Sequence, residues 1–509
     1  MLKKVNFLLD SIERHSAAEV SGFPFFSKEE LSRRITQLVL KHYYTDLMEV
    51  EPEEPSSYVS DRYRMLLGTQ LVLEKSKSMR MRVQRRLMFK NLFRFAGIST
   101  YLFFVLVGAF IMRRTTRGTG VAATIIGPHL VLDAFMASGD EGSRFARFCR
   151  QGPLSFLNEA ELILCREEVD PAINESLVQV GGNPLVHVLK TNPPSISEVG
   201  RAGFDYLKLF VLFFRRCLRF PAFSFLYRDL AFFGTVSSLN QRGLIENYVI
   251  SNSEYYDQEL WLNDFPGKKF SSNMLWYSSG FEWYRYKGET EFVDSPENRF
   301  ISVDRQWVWT ARQKALFDKM PRMRSVTAVG PIMYYLPSAE APDREDRTLA
   351  IFDLTPRQGW HFRQRFGEHI EYYNSAETVR SFMEEIVEQI EELEVRSNAP
   401  IRLLLKSKRT VLPKHEPTYQ TYLRELEHTG RVERLHPKTN IFDLAKRVAG
   451  LIALPFTSPG DVGAYVGTPT LYYDPTGRLV QPVFDQEDLH FAQDRHALRR
   501  FLETVCLKT

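Results

Sequence analysis

From Thr348 to the end of the chain, strand-like and helix-like stretches take strict turns. That order leaves few folds open. Parallel strands need a crossover between them, and helical crossovers cover both faces of the sheet they build. Short apolar runs bounded by turn residues predict strands at Thr348–Leu354, Ile401–Leu405, Val432–Leu435, Gly450–Pro455 and Thr470–Tyr473. Between them, Asn374 is placed to cap a helix running through Leu393, with Glu377 three residues on. Val379, Phe382, Met383, Ile386, Ile390 and Leu393 fall on one face of it. Further helices are predicted over Tyr419–Glu427, Ile441–Val448 and Val462–Val466, and a closing one from about Glu487 to Cys506. In a sheet of this kind ligands sit beyond the carboxyl ends of the strands.

The loops at those ends carry anion-binding chemistry. The first strand leads into Asp353-Leu-Thr-Pro-Arg357, with Thr355 in the turn, and the second into Lys406-Ser-Lys-Arg-Thr410. The strand Gly450–Pro455 feeds a polar turn with Thr457, Ser458 and Gly460 at the start of a short helix. Hydroxyls and N–H groups at a helix N-terminus seat a phosphate, and so do lysines and an arginine on neighbouring loops. Arg357, Lys406, Lys408, Thr457 and Ser458 fit that role, with His415 as a further phosphate partner. The plainer alternatives are an ordinary capped βα loop, exposed lysines after a strand and a structural histidine. No Gly-x-x-x-x-Gly-Lys or Gly-x-Gly-x-x-Gly run is present, which argues against an ATPase or a dehydrogenase.

The remainder of the 509 residues sets the context. A net charge of +4 is small for this length and gives no sign of a nucleic-acid partner. Cys149, Cys165, Cys217 and Cys506 lie far apart, without metal-ligand spacing, and read as reduced thiols. The polar, proline-flanked stretch 337–347 reads as a linker. It separates a C-terminal domain, 348–509, from an N-terminal domain, 119–336, whose strands include Val121–His129 and Leu244–Ile250. Aromatics cluster between Trp261 and Trp309, as core residues or as sugar-stacking ones. Residues 1–118 read as helical, with a Ser27/Glu30 capping box and a basic helical stretch over 61–94.

Two segments point to a membrane. Residues 95–112 carry no charge and approach the length of a bilayer span, with arginines on both sides; a buried helix or strand is the alternative. Residues 203–234 mix phenylalanines with Lys208, Arg215, Arg216, Arg219 and Arg228, which suits an interfacial helix on anionic lipid or a core helix with outward arginines. Pro221 is expected to break it. The expectation is a peripheral or monotopic protein, or one with a single anchor, on the cytoplasmic face of the inner membrane.

Phe352-Asp-Leu-Thr-Pro, Val329-Gly-Pro-Ile, Leu404-Leu-Lys-Ser-Lys, Leu454-Pro-Phe-Thr-Ser-Pro and Pro469-Thr-Leu-Tyr-Tyr-Asp-Pro together resemble bacterial surface-polysaccharide biosynthesis proteins with a GT-B glycosyltransferase-like fold. The resemblance implies two Rossmann-like domains facing a cleft, with a nucleotide-activated sugar held by the C-terminal one as co-substrate, no other cofactor, and a glycan or lipid-linked acceptor. It extends to glycerophosphotransferases, although their basic-Pro-His-Pro element survives here only as Lys414-His-Glu-Pro417. On this reading Asp353, Thr355, Arg357, Lys406, Lys408, His415, Thr457, Ser458 and Gly460 line the donor site. The base that deprotonates the acceptor is sought among His129, Asp133 and Glu141. No Asp-x-Asp metal motif is evident, in keeping with a metal-independent enzyme. A non-catalytic membrane-docked scaffold and a nucleotide-sugar epimerase are the competing readings.

Overall fold

The computed structural model of the chain describes residues 2–49, 57–59, 71–74, 80–112, 122–127, 154, 161–165, 178–180, 183–251, 258–279, 284–290, 298–319, 324–331, 344–356, 375–407, 415–437, 439–484 and 486–507. They divide into two compact units. The first comprises Met1–Leu275, Ser295–Gln306 and Pro321–Ser325; the second comprises Trp276–Asp294, Trp307–Met320 and Val326–Thr509. Part of the aromatic region therefore belongs to the second unit. Residues 332–343, most of the expected linker, lie outside the described residues, and Glu345 and Asp346 already belong to a strand.

The first unit opens with helices α1 (Leu2–Val20) and α2 (Lys28–Glu49). Ser27 Oγ accepts from the Glu30 N–H at 3.1 Å, as the capping spacing predicts. The expected helix over 61–94 is different: Leu71–Glu74 and Arg80–Val83 pair as antiparallel strands, and α3 (Arg85–Ile111) begins only after them. Arg80-Met-Arg-Val83 alternates charged and apolar residues, a period of two that suits a strand and outweighs the basic composition.

Five neighbouring strands form the parallel sheet of this unit: β1 (Ala123–Ile126), β2 (Glu161–Cys165), β3 (Val178–Val180), β4 (Ile245–Ser251) and β5 (Ser271–Leu275). Their order is β5-β4-β1-β2-β3. Between β3 and β4 come α4 (Pro184–Thr191), α5 (Ile196–Arg219) and α6 (Tyr227–Gln241). Ser195 and Glu198 close a reciprocal capping box on α5. The helix stops at Arg219, and Pro221 opens a 3-10 turn, as a proline without an N–H requires.

The second unit holds β6 (Glu345–Phe352), α7 (Ala376–Ser397), β7 (Arg402–Lys406), α8 (Pro417–His428), β8 (Glu433–Arg434) and α9 (Ile441–Arg447). It continues with β9 (Val448–Ala453), α10 (Ser458–Tyr465), β10 (Thr470–Tyr473), β11 (Leu489–Ala492) and α11 (Arg495–Cys506). The sheet is parallel throughout in the order β8-β7-β6-β9-β10-β11. Counted from its own first strand, that order is 3-2-1-4-5-6, the doubly wound Rossmann arrangement. The first unit repeats its opening portion.

Two details differ from the sequence expectation. Ser375, not Asn374, caps α7, its Oγ accepting from the Thr378 N–H at 3.1 Å. The closing segment is a strand and a helix, because Leu489-His-Phe-Ala492 pairs with β10 before Asp494 caps α11. Phe382, Ile386 and Ile390 of α7 pack with Leu403, Ile452 and Leu502 in one continuous core.

Candidate functional site

The register of the second sheet brings three loops to one level. Phe352 at the end of β6 pairs with Lys406 at the end of β7, and on its other side with Ala453 at the end of β9. The chain leaves the sheet from all three strands together, where the strand order reverses. This is the switch point at which open α/β sheets bind ligands.

Asp353 is the first residue beyond β6 and is buried. Its Oδ2 accepts from Tyr419 Oη at 3.0 Å and Ser407 Oγ at 3.3 Å, and its Oδ1 accepts from Thr355 Oγ1 at 3.3 Å. A buried carboxylate needs such donors to stay charged. Its charge supports that of Lys406, also buried at the end of β7. Burial pushes the Lys406 ammonium down to about 8, and Asp353 opposes that fall. Tyr419 is raised well above the usual phenol range, by burial first and by the Asp353 charge second. His415 is buried, and the next residue, Glu416, donates its N–H to the Pro356 carbonyl at 3.0 Å. That bond ties the His415 segment to the loop after β6.

The turn after β9 is pinned on every side. Phe456 sits at φ +60° and Thr355, in the loop after β6, at φ +38°. Bulky and β-branched residues rarely hold such angles, and strain of this kind persists only where surrounding contacts enforce it. Phe456 stacks on Tyr284 with ring centres 5.8 Å apart. Thr457 Oγ1 donates to the Leu454 carbonyl at 2.6 Å, while Ser458 Oγ accepts from the Ser279 N–H at 3.1 Å. The Thr457 carbonyl accepts from Tyr472 Oη at 2.7 Å. Gly460 is required here: a Cβ would stand 2.1 Å from the Tyr472 ring. Asp461 is fully buried, pushed up by desolvation and held by Arg312, Tyr472 and Ser279.

Among the nine donor-site residues read from sequence, Asp353, Thr355, Lys406, His415, Thr457, Ser458 and Gly460 lie at these strand ends. Arg357 and Lys408 follow them in the chain but lie outside the described residues, as do His129, Asp133 and Glu141. Asp353 and Lys406 form one group with Ser407 and Tyr419; Thr457, Ser458 and Gly460 belong to the pinned turn. The sequence reading passed over Tyr419, Tyr472, Asp461, Arg312 and Ser279 as site residues. Asp461, a lone charge in an otherwise apolar helix, was the available signal. Arg312 and Ser279 are far off in sequence and gave none. Among the described residues no three His, Cys, Asp or Glu side chains gather as a metal's ligands.

The family profile described as "Polysaccharide biosynthesis PFTS motif protein" matches residues 208–502, more than half of the chain. The chain belongs to this family. Read as one-letter residues, the motif's name is Pro455-Phe456-Thr457-Ser458, the pinned turn itself. The PFTS turn thus falls at the switch point of the second sheet. No curated protein matches the sequence. Solved structures give distant likenesses. One is sucrose-phosphate synthase from Thermosynechococcus elongatus, with a TM-score of 0.40 and 10% identity over 76% of this chain and 90% of that one. Another is the wall teichoic acid polymerase TagF, with a TM-score of 0.34 and 8% identity over 83% and 90%. A third is UDP-GlcNAc 2-epimerase from Methanocaldococcus jannaschii, with a TM-score of 0.34 and 9% identity over 76% and 93%. The strand orders, rather than these likenesses, establish the α/β fold.

Proposed function

We propose that this chain is a GT-B-type glycosyltransferase that moves a sugar from a nucleotide-activated donor to a surface-polysaccharide or lipid-linked acceptor. The carrying observation is the level register of β6, β7 and β9, which sets a buried lysine and the PFTS turn at one switch point. Membership of a polysaccharide biosynthesis family supports the substrate class. Two Rossmann-ordered units in one chain are what a GT-B enzyme requires, one for the donor and one for the acceptor.

In this reading Lys406 supplies positive charge to the donor's phosphates, and the positive dipole end of α10 stabilises the departing phosphate. Asp353 does not touch the donor. It holds Ser407, Tyr419 and Thr355 in place and keeps Lys406 protonated at neutral pH. Thr457 and Ser458 shape the turn through the bonds already described, and the Ser458 hydroxyl, which accepts from Ser279, keeps its own proton to give to a phosphate. The base comes from the segment after β1, with His129, Asp133 and Glu141 as candidates. Nucleotide sugars place the reaction on the cytoplasmic side.

The test is a thermal-shift series of the purified full chain with CMP, CDP, UDP and GDP, beside Lys406→Ala. A ligand that binds only the native state raises the melting temperature by mass action. One nucleotide should shift the wild type and leave the variant, itself folded, unmoved. A folded wild type that no nucleotide shifts would sink the donor site and leave the scaffold reading. A soluble donor converted to its epimer without any acceptor would make the chain an epimerase.

A further inference from the structure

The first unit carries an apolar surface that its own fold leaves uncovered. Helices α3 and α5 pack side by side: Phe95 meets Phe213 at 4.3 Å between ring centres, and Phe103 meets Tyr206 at 6.3 Å and lies 3.2 Å from the Cβ position of Gly203. Later residues of α3 thus meet earlier residues of α5, so the two run antiparallel. Their inner faces are core, with Phe95, Leu102, Leu209 and Phe213 buried. Asn91 Nδ2 also donates to Ser224 Oγ at 3.4 Å on that side.

The outer faces are also apolar. Phe93, Phe104 and Ile111 on α3 are 76%, 66% and 68% exposed, and Phe204, Leu207 and Val211 on α5 are 66%, 62% and 55% exposed. A soluble surface does not keep such a run of large apolar side chains in water. Charge is arranged around it in two ways. Along α5, Arg201, Lys208, Arg215 and Arg219 recur at intervals of seven, seven and four residues, a single helical stripe beside the apolar face. Along α3, all cations fall in the first ten residues, Arg85, Arg86, Lys90 and Arg94. Because the helices are antiparallel, that basic end lies beside Arg215 and Arg219, while the far end of α3 is purely apolar.

We infer that the α3–α5 pair is a monotopic seat on an anionic lipid bilayer. The apolar outer face enters the interfacial layer, and the cationic stripe and end lie at the phosphate headgroups. α3 is long and apolar enough to cross a membrane, yet its inner face is committed to α5 and the following helices, and only 28% of its most apolar stretch is buried. α5, packed along α3, carries Arg201, Lys208 and Arg215 along its length, and such charges suit the surface of a bilayer rather than its hydrocarbon core. The inference stands on the first unit alone and does not depend on the donor site.

The experiment is flotation of the purified full chain with vesicles of phosphatidylcholine alone and with vesicles containing about 30% phosphatidylglycerol. The wild type should float with the anionic vesicles and much less with the neutral ones. Leu207→Asp with Phe104→Asp should leave the protein in the dense fraction with its melting temperature unchanged. Arg215→Glu with Arg219→Glu should weaken anionic binding about tenfold or more at low salt. A Phe104→Trp variant separates seat from span, since Phe104 is central in 95–112. Its added fluorescence should be quenched most by lipids brominated near the headgroup; strongest quenching by bromines at the chain ends would overturn the inference. So would a wild type that ignores anionic vesicles, or one that dimerises through this face and becomes a non-floating monomer on Leu207→Asp.

Discussion

The strand ends of the second unit and the helix pair of the first invert each other's polarity. At the PFTS turn, charges are inside: Asp353, Lys406 and Asp461 are buried, each among named partners or in reach of an opposite charge. On the helix pair, phenylalanine and leucine are outside and the cations stand beside them. Neither arrangement is what stability alone would choose. Buried charges cost desolvation, and exposed apolar area forgoes burial. On the readings proposed above, the difference teaches that each region is shaped for something outside the chain, an anion in one case and an apolar phase in the other. Substitutions in the two regions should therefore behave oppositely.

The largest effect is expected at Gly460. A methyl group there would overlap the Tyr472 ring, and that ring also carries the hydroxyl that holds the Thr457 carbonyl and Asp461. Gly460→Ala should destabilise the chain by about 3 kcal/mol, at the upper end of ordinary overpacking. Denaturant unfolding measures it directly. A variant as stable as the wild type would mean that the turn is not pinned, and the contrast between the regions would lose its firmest side.

Next comes Tyr419→Phe, which removes the Asp353 partner at 3.0 Å without changing shape. Hydrogen bonds to a charged group are worth about 1.5–3 kcal/mol, so a loss of about 2 kcal/mol is expected. If Asp353 orients the site rather than binding the donor, nucleotide affinity should fall along with stability, and Asp353→Asn should partly preserve both. Unchanged affinity in a destabilised Tyr419→Phe would assign the network to folding alone.

Much of the second unit was legible in the sequence because its signals are local. The apolar runs placed β6, β7, β9 and β10, and the stripe from Val379 to Leu393 placed α7. The sixth strand escaped because Leu489-His-Phe-Ala492 is short and runs straight into the α11 cap, so its period merges with that of the helix. The turn Thr457–Gly460 could be singled out by its residue types. What could not be read was that those hydroxyls bond Leu454 and Ser279, since Ser279 lies 179 residues away. In the first unit, the uncharged run 95–112 was plain, but only the packing of Phe95 on Phe213 shows that one of its faces is core.

A smaller effect should appear in the pH dependence of the two functions assigned to Lys406. Burial lowers its ammonium from the ordinary lysine range to about 8. Between that value and the unfolded value of about 10.4, the native lysine is neutral while the unfolded one still carries its proton. The unfolded state then binds more protons, so the stability contributed by this site rises with pH across the window and is level on either side of it. Nucleotide binding should move the other way, weakening as pH rises through about 8 while the donor's phosphates stay ionised. Lys406→Arg keeps its charge and should remove both trends. Titrations of melting temperature and affinity on the same samples would show the opposed slopes; parallel slopes would take Lys406 out of the phosphate site.

The smallest effect is expected on the outer face of the helix pair, and its smallness is the informative part. Leu207 is 62% exposed, so Leu207→Gln gives up little burial and should change the unfolding free energy by no more than about 0.5 kcal/mol. Leu209, two residues on, is 1% exposed in the core. Leu209→Ala should cost several times as much by leaving a cavity. A nearly neutral Leu207→Gln would confirm that the apolar face does no work for the folded chain in water. The face is then free to serve contact with another phase, as the bilayer seat requires. A loss comparable to that of Leu209→Ala would instead make the outer face part of the core's support, and the two regions would no longer be opposites.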